Sequence, residues 1–249
     1  MAVITAPAEV NALRRGGQIA AQALLEVVQA VKPGVDTKTL DTIAARSIRQ
    51  AGGQPSFLGF QGYPASLCTS INHEVVHGIP SPRRILNTGD VVGLDIGVEY
   101  QKLFTDHAVT VGVGKIDHEH QALLSATAEA LAVGLQVVRA GARVGDISAA
   151  IEQYLKPRYL GIVTQLTGHG VGRAVHEAPA IPNVGRAGTG PILVPGMVLA
   201  IEPMVTLGGA AVETLADGWT VITQDHRPAA HFEHTVLVTN DGCEIITRP

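Results

Sequence analysis

Five residues have the types and surroundings of metal ligands: Asp95, Asp106, His169, Glu202 and Glu233. Asp95 lies inside Val91-Val92-Gly93-Leu94-Asp95-Ile96-Gly97-Val98, and Glu202 inside Met197-Val198-Leu199-Ala200-Ile201-Glu202-Pro203. A carboxylate among so much Val, Leu and Ile is costly to bury alone. A bound cation relieves that cost, and carboxylates with one imidazole suit hard or borderline divalent ions. His169 occurs in Thr167-Gly168-His169-Gly170-Val171-Gly172, read as a glycine-rich turn that lets backbone pass close to an ion or substrate. A second histidine, His176, follows it. Glu233 sits in His231-Phe232-Glu233-His234-Thr235-Val236-Leu237-Val238, where strand alternation places it on the face of His231 and Thr235. His118, His120 and His226 stand among polar residues and read as solvated surface groups. The chain therefore reads as a metalloenzyme.

The elements that position these residues follow from spacing. Two strand-like segments flank Glu99-Tyr100-Gln101-Lys102. With Tyr100 and Gln101 as the central turn residues, Asp95 sits directly opposite Asp106, their Cβ atoms about 5 Å apart. Two carboxylates at that separation repel unless a cation joins them. Tyr-Gln is not a favoured tight-turn pair, so a bulge would shift this register.

Residues 8–31 read as a helix with Val10, Leu13, Ile19, Leu24 and Val27 at apolar positions, ended by Lys32-Pro33-Gly34. A second helix starts near Asp36 or Thr37, either of which can cap it, and carries Leu40, Ile43, Ala44 and Ile48. Helices over roughly 117–139 and 146–156, separated by Gly141, repeat the plan. Gly34 and Leu40 match Gly141 and Ile147 at an offset of 107, and Gly89 and Asp95 match Gly196 and Glu202 at the same offset. Val76-His77-Gly78-Ile79-Pro80 and Val175-His176-Glu177-Ala178-Pro179 correspond at an offset of 99. Two related halves, about 1–116 and 117–249 of one catalytic domain, predict an α+β fold with antiparallel sheet and helices on one side. Asp95 and Glu202 then fall at equivalent places about a pseudo-two-fold axis.

Composition excludes several classes. Hydrophobic residues are 46% of the 249 and charged residues 16%, which supports a sizeable core and argues against disorder. A net charge of −4 leaves no basic footprint for nucleic acid. The two cysteines, Cys68 and Cys243, are far apart, form no C-x-x-C motif and fit a reducing compartment, or simply two packed thiols. The segment Met1–Pro7 lacks the basic flank and apolar core of a signal peptide, and no apolar run reaches membrane-spanning length. A cytoplasmic protein is expected.

Taken in order, several runs resemble the type I methionine aminopeptidases over essentially the whole chain. They are Ser70-Ile71-Asn72-His73-Glu74-Val75-Val76-His77-Gly78-Ile79-Pro80, the Asp95 and Asp106 pair, Gly168-His169-Gly170-Val171-Gly172-Arg173, Ala200-Ile201-Glu202-Pro203-Met204-Val205, Asp217-Gly218-Trp219-Thr220-Val221 and Phe232-Glu233-His234-Thr235. The resemblance implies the pita-bread fold and two divalent metal ions, with Mn, Fe, Co and Zn all compatible with the donor set. It implies that Asp95 binds one metal, that His169 and Glu202 bind the other, and that Asp106 and Glu233 bridge them. The implied reaction is hydrolysis after an N-terminal methionine, with a metal-activated bridging water as nucleophile. Glu202 is implied as proton acceptor, His176 as hydrogen-bond donor to the substrate or the tetrahedral intermediate, and His77 as a contact near the scissile amide.

An apolar methionine pocket is implied at Phe57, Phe60, Tyr63, Cys68, Val175 and Trp219. This chain departs from the family pattern at Phe57, often Cys; at Val175, often aromatic; and at His231, where an amide is common. The first fifty residues lack Cys and His, which matches the short bacterial form without a zinc-finger extension. The expected partners are N-terminal-methionine peptides and nascent chains, with the ribosome as a candidate contact; a monomer is expected. Two competing readings are an Xaa-Pro aminopeptidase or dipeptidase of the same fold, and a non-catalytic binding protein built on it.

Overall fold

The structure, a computed structural model, describes residues 3–248. Met1 and Ala2, part of the N-terminal segment read above, lie outside the described residues, as does Pro249. Four α-helices are present among the described residues. α1 (Pro7–Ala30) opens on proline at its first turn and buries Leu13, Ile19, Leu24 and Val27 along one stripe. α2 (Thr37–Gln50) is capped by Asp36, whose carboxylate accepts the Thr39 N–H at 2.8 Å. α3 (His118–Gln136) is capped the same way by Asp117, which accepts the His120 N–H at 2.8 Å. α4 (Val144–Leu155) starts two residues before its expected position, because the Asp146 carboxylate reaches back to the Arg143 N–H at 2.7 Å.

The main sheet is antiparallel and has nine strands among the described residues. Its path runs Gln54–Pro55, Val91–Tyr100, Leu103–Gly112, Glu233–Val238, Val198–Ile201, Thr167–Gly170, Glu177–Pro182. Leu67–Ile71 also pairs with Val91–Tyr100, and Cys243–Ile245 with Glu233–Val238. Two smaller three-stranded sheets flank it, one containing Met204–Thr206 and Ala229–His231, the other Glu74–Val76 and Val221–Thr223.

Strand alternation separates core from site. Val92, Leu94, Ile96 and Val98 pack against Ile19, Leu24, Leu40 and Ile48 of α1 and α2, while Asp95 between them faces a cavity. Leu199 and Ile201 pack against Leu123, Leu131, Ile147 and Ile151 of α3 and α4. The helices therefore cover one face of the sheet and the acids occupy the other.

The two halves repeat in their hydrogen bonds as well as in their elements. The Gly34 N–H donates to Leu86 O at 2.8 Å and the Gly141 N–H to Leu193 O at 2.9 Å. Leu86 N–H donates to Val35 O, and Leu193 N–H to Ala142 O. Asp36 bridges to Ile85 as Arg143 does to Ile192. All these pairs stand at the offset of 107, as do the first residues of α2 and α4. Gly34 and Gly141 have φ of 88° and 82°, a left-handed conformation that ends each preceding turn.

Two local expectations are corrected. The first hairpin turns at Gln101-Lys102, so Tyr100 pairs with Leu103, Asp95 faces Ala108 and Asp106 faces Gly97. Asp95 and Asp106 are diagonal neighbours on one face, not direct partners. Both central residues have positive φ, 51° and 64°, the conformation of a two-residue turn matched to strand twist. Gly97 opposite Asp106 also leaves room for Phe57, whose ring would lie 2.4 Å from a Cβ there. The second correction concerns His169, which lies in a strand, Thr167–Gly170, and not in a turn. A Cβ on Gly168 would stand 2.5 Å from Ala200 O, and one on Gly170 would stand 2.2 Å from Ala178 O. These glycines let the flanking strands close in on His169.

Candidate metal centre

Asp95, Asp106, His169, Glu202 and Glu233 all line one cavity of about 430 Å³, together with His77, His176 and His231. They arrive from four strands and from the Glu202-Pro203 corner that follows a fifth. Asp106, His169 and Glu233 each present a ligand atom within 4.8 Å of the others. His169 Nε2 is 3.4 Å from Glu202 Oε1. Among the described residues, Asp95 Oδ1, Asp106 Oδ1 and Glu233 Oε1 are buried without a hydrogen-bond partner. Orphaned carboxylate oxygens cost several kcal/mol each in a dry site unless something positive meets them. The donor set of four carboxylates and one imidazole fits divalent metal ions.

Local bonds hold the ligands in place. The Asp106 N–H donates to Thr235 Oγ1 at 2.8 Å, and that hydroxyl donates to Asp106 O at 2.8 Å. The strand of Asp106 is thereby clamped to the strand of Glu233. His107 Nδ1 approaches Glu233 O at 2.6 Å. His169 Nδ1 lies 2.9 Å from Gly170 O; a carbonyl can only accept, so Nδ1 carries a proton, and in the neutral ring Nε2 keeps its lone pair. In that form the lone pair faces Glu202 Oε1, a repulsive contact that a cation between them relieves.

The electrostatics follow from crowding acids in a buried place. Burial, and then the charge of Glu202, push the Asp95 carboxyl up to about 6, against the opposing pull of His231. Asp106 and Glu233 rise well above the ordinary carboxylate range, through burial first and neighbouring acids second. Glu202 goes the other way. Burial works to raise it, but His231, His169 and His77 outweigh that and hold it below its usual value. His176 is lowered to about 4 by burial and by His169, and His77 is lowered by burial. Both are neutral imidazoles near neutral pH and can each donate one N–H.

His77 has a φ of 61°, a left-handed conformation in a non-glycine residue, of the kind found where structure holds a functional side chain in a costly place. The glycine after it, Gly78, packs on Thr69 O, 2.2 Å from where a Cβ would be. The His77 ring lies 6.2 Å from Trp219, and His176 packs 4.3 Å from His169 and 5.3 Å from Phe60.

Beyond the histidines the cavity turns apolar. Phe57, Phe60, Tyr63, Cys68 and Trp219 line it, with Tyr63 and Trp219 edge to face at 5.0 Å. Cys68 pairs in register with Asp95, and burial pushes its thiol well up. Val175 is buried in the same apolar cluster but does not reach the cavity wall. Gln61, Gln165, Leu166 and Met204 also line the cavity and were not anticipated; only Met204, beside Glu202-Pro203, carried a signal. Of the histidines read as solvated, His118 and His226 are exposed. His120 is half-buried, its Nδ1 3.3 Å from the capping Asp117 carboxylate, because the helix cap draws it in.

An antiparallel sheet with a repeated helix pair and an acid-rich cavity with one freed imidazole is the architecture of a metallopeptidase. Residues 11–240 match metallopeptidase family M24, and the chain belongs to that family. Within it, the similarity is to methionine aminopeptidases. Methionine aminopeptidase 1 of Bacillus subtilis (strain 168) is 45% identical over 248 residues, covering 100% of both chains. Methionine aminopeptidase 1 of Mycobacterium tuberculosis (strain CDC 1551 / Oshkosh) is 45% identical over 245 residues, covering 96% of this chain and 92% of that one. The crystal structure of methionine aminopeptidase from Thermotoga maritima superposes with a TM-score of 0.98 at 39% identity over the full length of both. The prolidase from Pyrococcus furiosus shares the fold at a TM-score of 0.79 and 21% identity, covering 99% of this chain and 66% of its own.

Proposed function

We propose that this protein is a metal-dependent aminopeptidase that removes the N-terminal methionine from peptides and nascent chains, preferring a small second residue. We take the whole chain as one catalytic domain, working in the cytoplasm as a monomer. The observation that carries the reading is the union in one cavity of the acid and histidine cluster with an apolar end built from Phe57, Phe60, Tyr63, Cys68 and Trp219. An unbranched thioether side chain fits such a pocket well.

Asp95 would hold one divalent ion, His169 and Glu202 the other, and Asp106 and Glu233 would be shared. Ions bound there supply an acidified water and a Lewis acid for the scissile carbonyl. The remaining work belongs to side chains. Glu202, the carboxylate that ionises most readily, takes the proton of the attacking water and returns it to the departing amine. His176 donates an N–H to the oxygen that gains charge as the carbonyl carbon becomes tetrahedral. His77 lines the same cavity, its ring 6.2 Å from that of Trp219, and orients the scissile amide.

The test is release of methionine from Met-Ala-Ser by chelator-stripped protein refilled with Mn(II), Co(II), Fe(II) or Zn(II), beside an Xaa-Pro peptide. Release from Met-Ala-Ser alone is expected. No release with any metal overturns the proposal, and preference for the Xaa-Pro peptide transfers it to the other branch of the fold. Asp106→Asn is expected to weaken metal binding by at least about 10–100-fold, the range seen for partners that only orient ligands; calorimetry checks it.

A further inference from the structure

We propose that His231 is a positioning residue that fixes which oxygen of Glu202 faces the metal ions. The proposal rests on the reading of Glu202 as a metal ligand. The His231 side chain is almost wholly enclosed, and its Nε2 lies 3.2 Å from Glu202 Oε2. The other oxygen, Oε1, lies 3.4 Å from His169 Nε2. Glu202 is thus straddled by two imidazoles, one on each oxygen, and they differ in kind.

The bond from His169 Nδ1 to Gly170 O leaves Nε2 with a lone pair for a metal. His231 Nε2 is buried and makes no hydrogen bond of regular geometry among the described residues; its charged neighbour is Glu202 Oε2, at 3.2 Å. A bare lone pair there would oppose a carboxylate lone pair in a dry site, whereas an Nε2–H would meet it favourably. Both the neutral Nε2–H tautomer and the imidazolium carry that proton. A nitrogen so protonated cannot ligate a metal. His231 therefore occupies Oε2 and leaves Oε1, beside His169, as the oxygen offered to the ion.

The backbone that carries the ring is held from behind. The His231 backbone N–H donates to Thr110 Oγ1 at 2.9 Å, and that hydroxyl donates to the His231 backbone O at 2.8 Å. Thr110 belongs to the same strand as Asp106. One hydroxyl in the first half thus fixes the residue that orients a carboxylate in the second. An amide side chain at 231 would supply the same donor, but an aliphatic one would not.

The experiment compares wild type with His231→Gln, His231→Leu and Thr110→Val. Each is loaded with Co(II), its affinity is measured by calorimetry, and its absorption spectrum and pulsed EPR nitrogen couplings are recorded. Wild type is expected to show one coordinated imidazole. His231→Gln is expected to keep the spectrum and to bind within about threefold of wild type. His231→Leu is expected to shift the spectrum and lose about 10–100-fold in affinity, the usual effect of losing a ligand's partner. If His231→Leu does not fold, Thr110→Val, which leaves the ring intact, is expected to shift the spectrum in the same direction. Wild-type behaviour of both His231→Leu and Thr110→Val overturns the proposal, as do two coordinated imidazoles in wild type. Wild-type protein that binds no Co(II) overturns the metal-centre reading as well, and is distinct from failure of this assignment alone, where wild type binds and His231→Leu binds equally.

Discussion

Asp95, Asp106 and Glu233 surrender their protons less readily than ordinary carboxylic acids, and a metal must displace those protons to bind. Affinity for Mn(II) is therefore expected to fall as pH drops through about 6, the value for Asp95. Calorimetric titrations across that pH check it, and a flat affinity contradicts it. The same shifts set the stability of chelated protein. Carboxyls with raised folded pKa values stabilise fully below the ordinary carboxylate range, and that contribution is lost as pH rises through the folded values. His107 and His176, both lowered to about 4, act in the opposite sense: their contribution is complete above the ordinary imidazole value and is lost as pH falls toward 4. Above about pH 6.5 the contributions of these two histidines are complete; the raised carboxyls remain, together with His231, which burial works to lower but Glu202 raises, and whose contribution is likewise lost as pH climbs. The melting temperature of chelated protein is expected to fall with pH there, and Mn(II) to reverse the fall; a rising melting temperature in chelator contradicts the buried-acid account. At this scale the candidate ligands were legible, because an acid inside Val, Leu and Ile advertises a partner. His231 was visible only as an odd residue on the face of Glu233; its contact with Glu202 depends on a fold that brings residues 202 and 231 together.

The helices were legible to within a few residues, since apolar stripes and Asp caps are local signals. The hairpin register was not. A turn with two left-handed residues is usually marked by Asn or Gly, and here Gln101 and Lys102 take those places. The glycines around His169 read locally as a turn, because what requires them is the close approach of the strands on either side, a tertiary contact that local sequence does not display. That requirement has a test. In Gly170→Ala the new Cβ would meet Ala178 O at 2.2 Å, a backbone atom that cannot swing aside. A loss of about 1–3 kcal/mol or more in urea unfolding is expected, with weaker metal binding because His169 is adjacent. Unchanged stability and affinity would show that the strands are looser than drawn.

The repeat was legible across the whole molecule because spacing survives where residue identity does not: an offset of 107 recurs in capped turns, bridges and helix starts. The joining of the halves was not legible. It falls to Glu233–Val238, which pairs with Leu103–Gly112 on one side and Val198–Ile201 on the other. Because one strand serves both halves, urea unfolding followed by far-ultraviolet circular dichroism and by Trp219, the sole tryptophan, is expected to give one coincident transition. Two separated transitions would mean the halves are independent.

The same strand has a consequence for how the molecule is made. It follows in the chain both of the strands it joins, so during synthesis each half-sheet waits with a raw edge. Such edges recruit other chains. The pairing of residues 107 and 234 closes a loop that spans about half the polypeptide, and contacts of that sequence separation slow folding. The step most exposed to aggregation is therefore the late insertion of one short strand, and it is the step that assembles the catalytic acids.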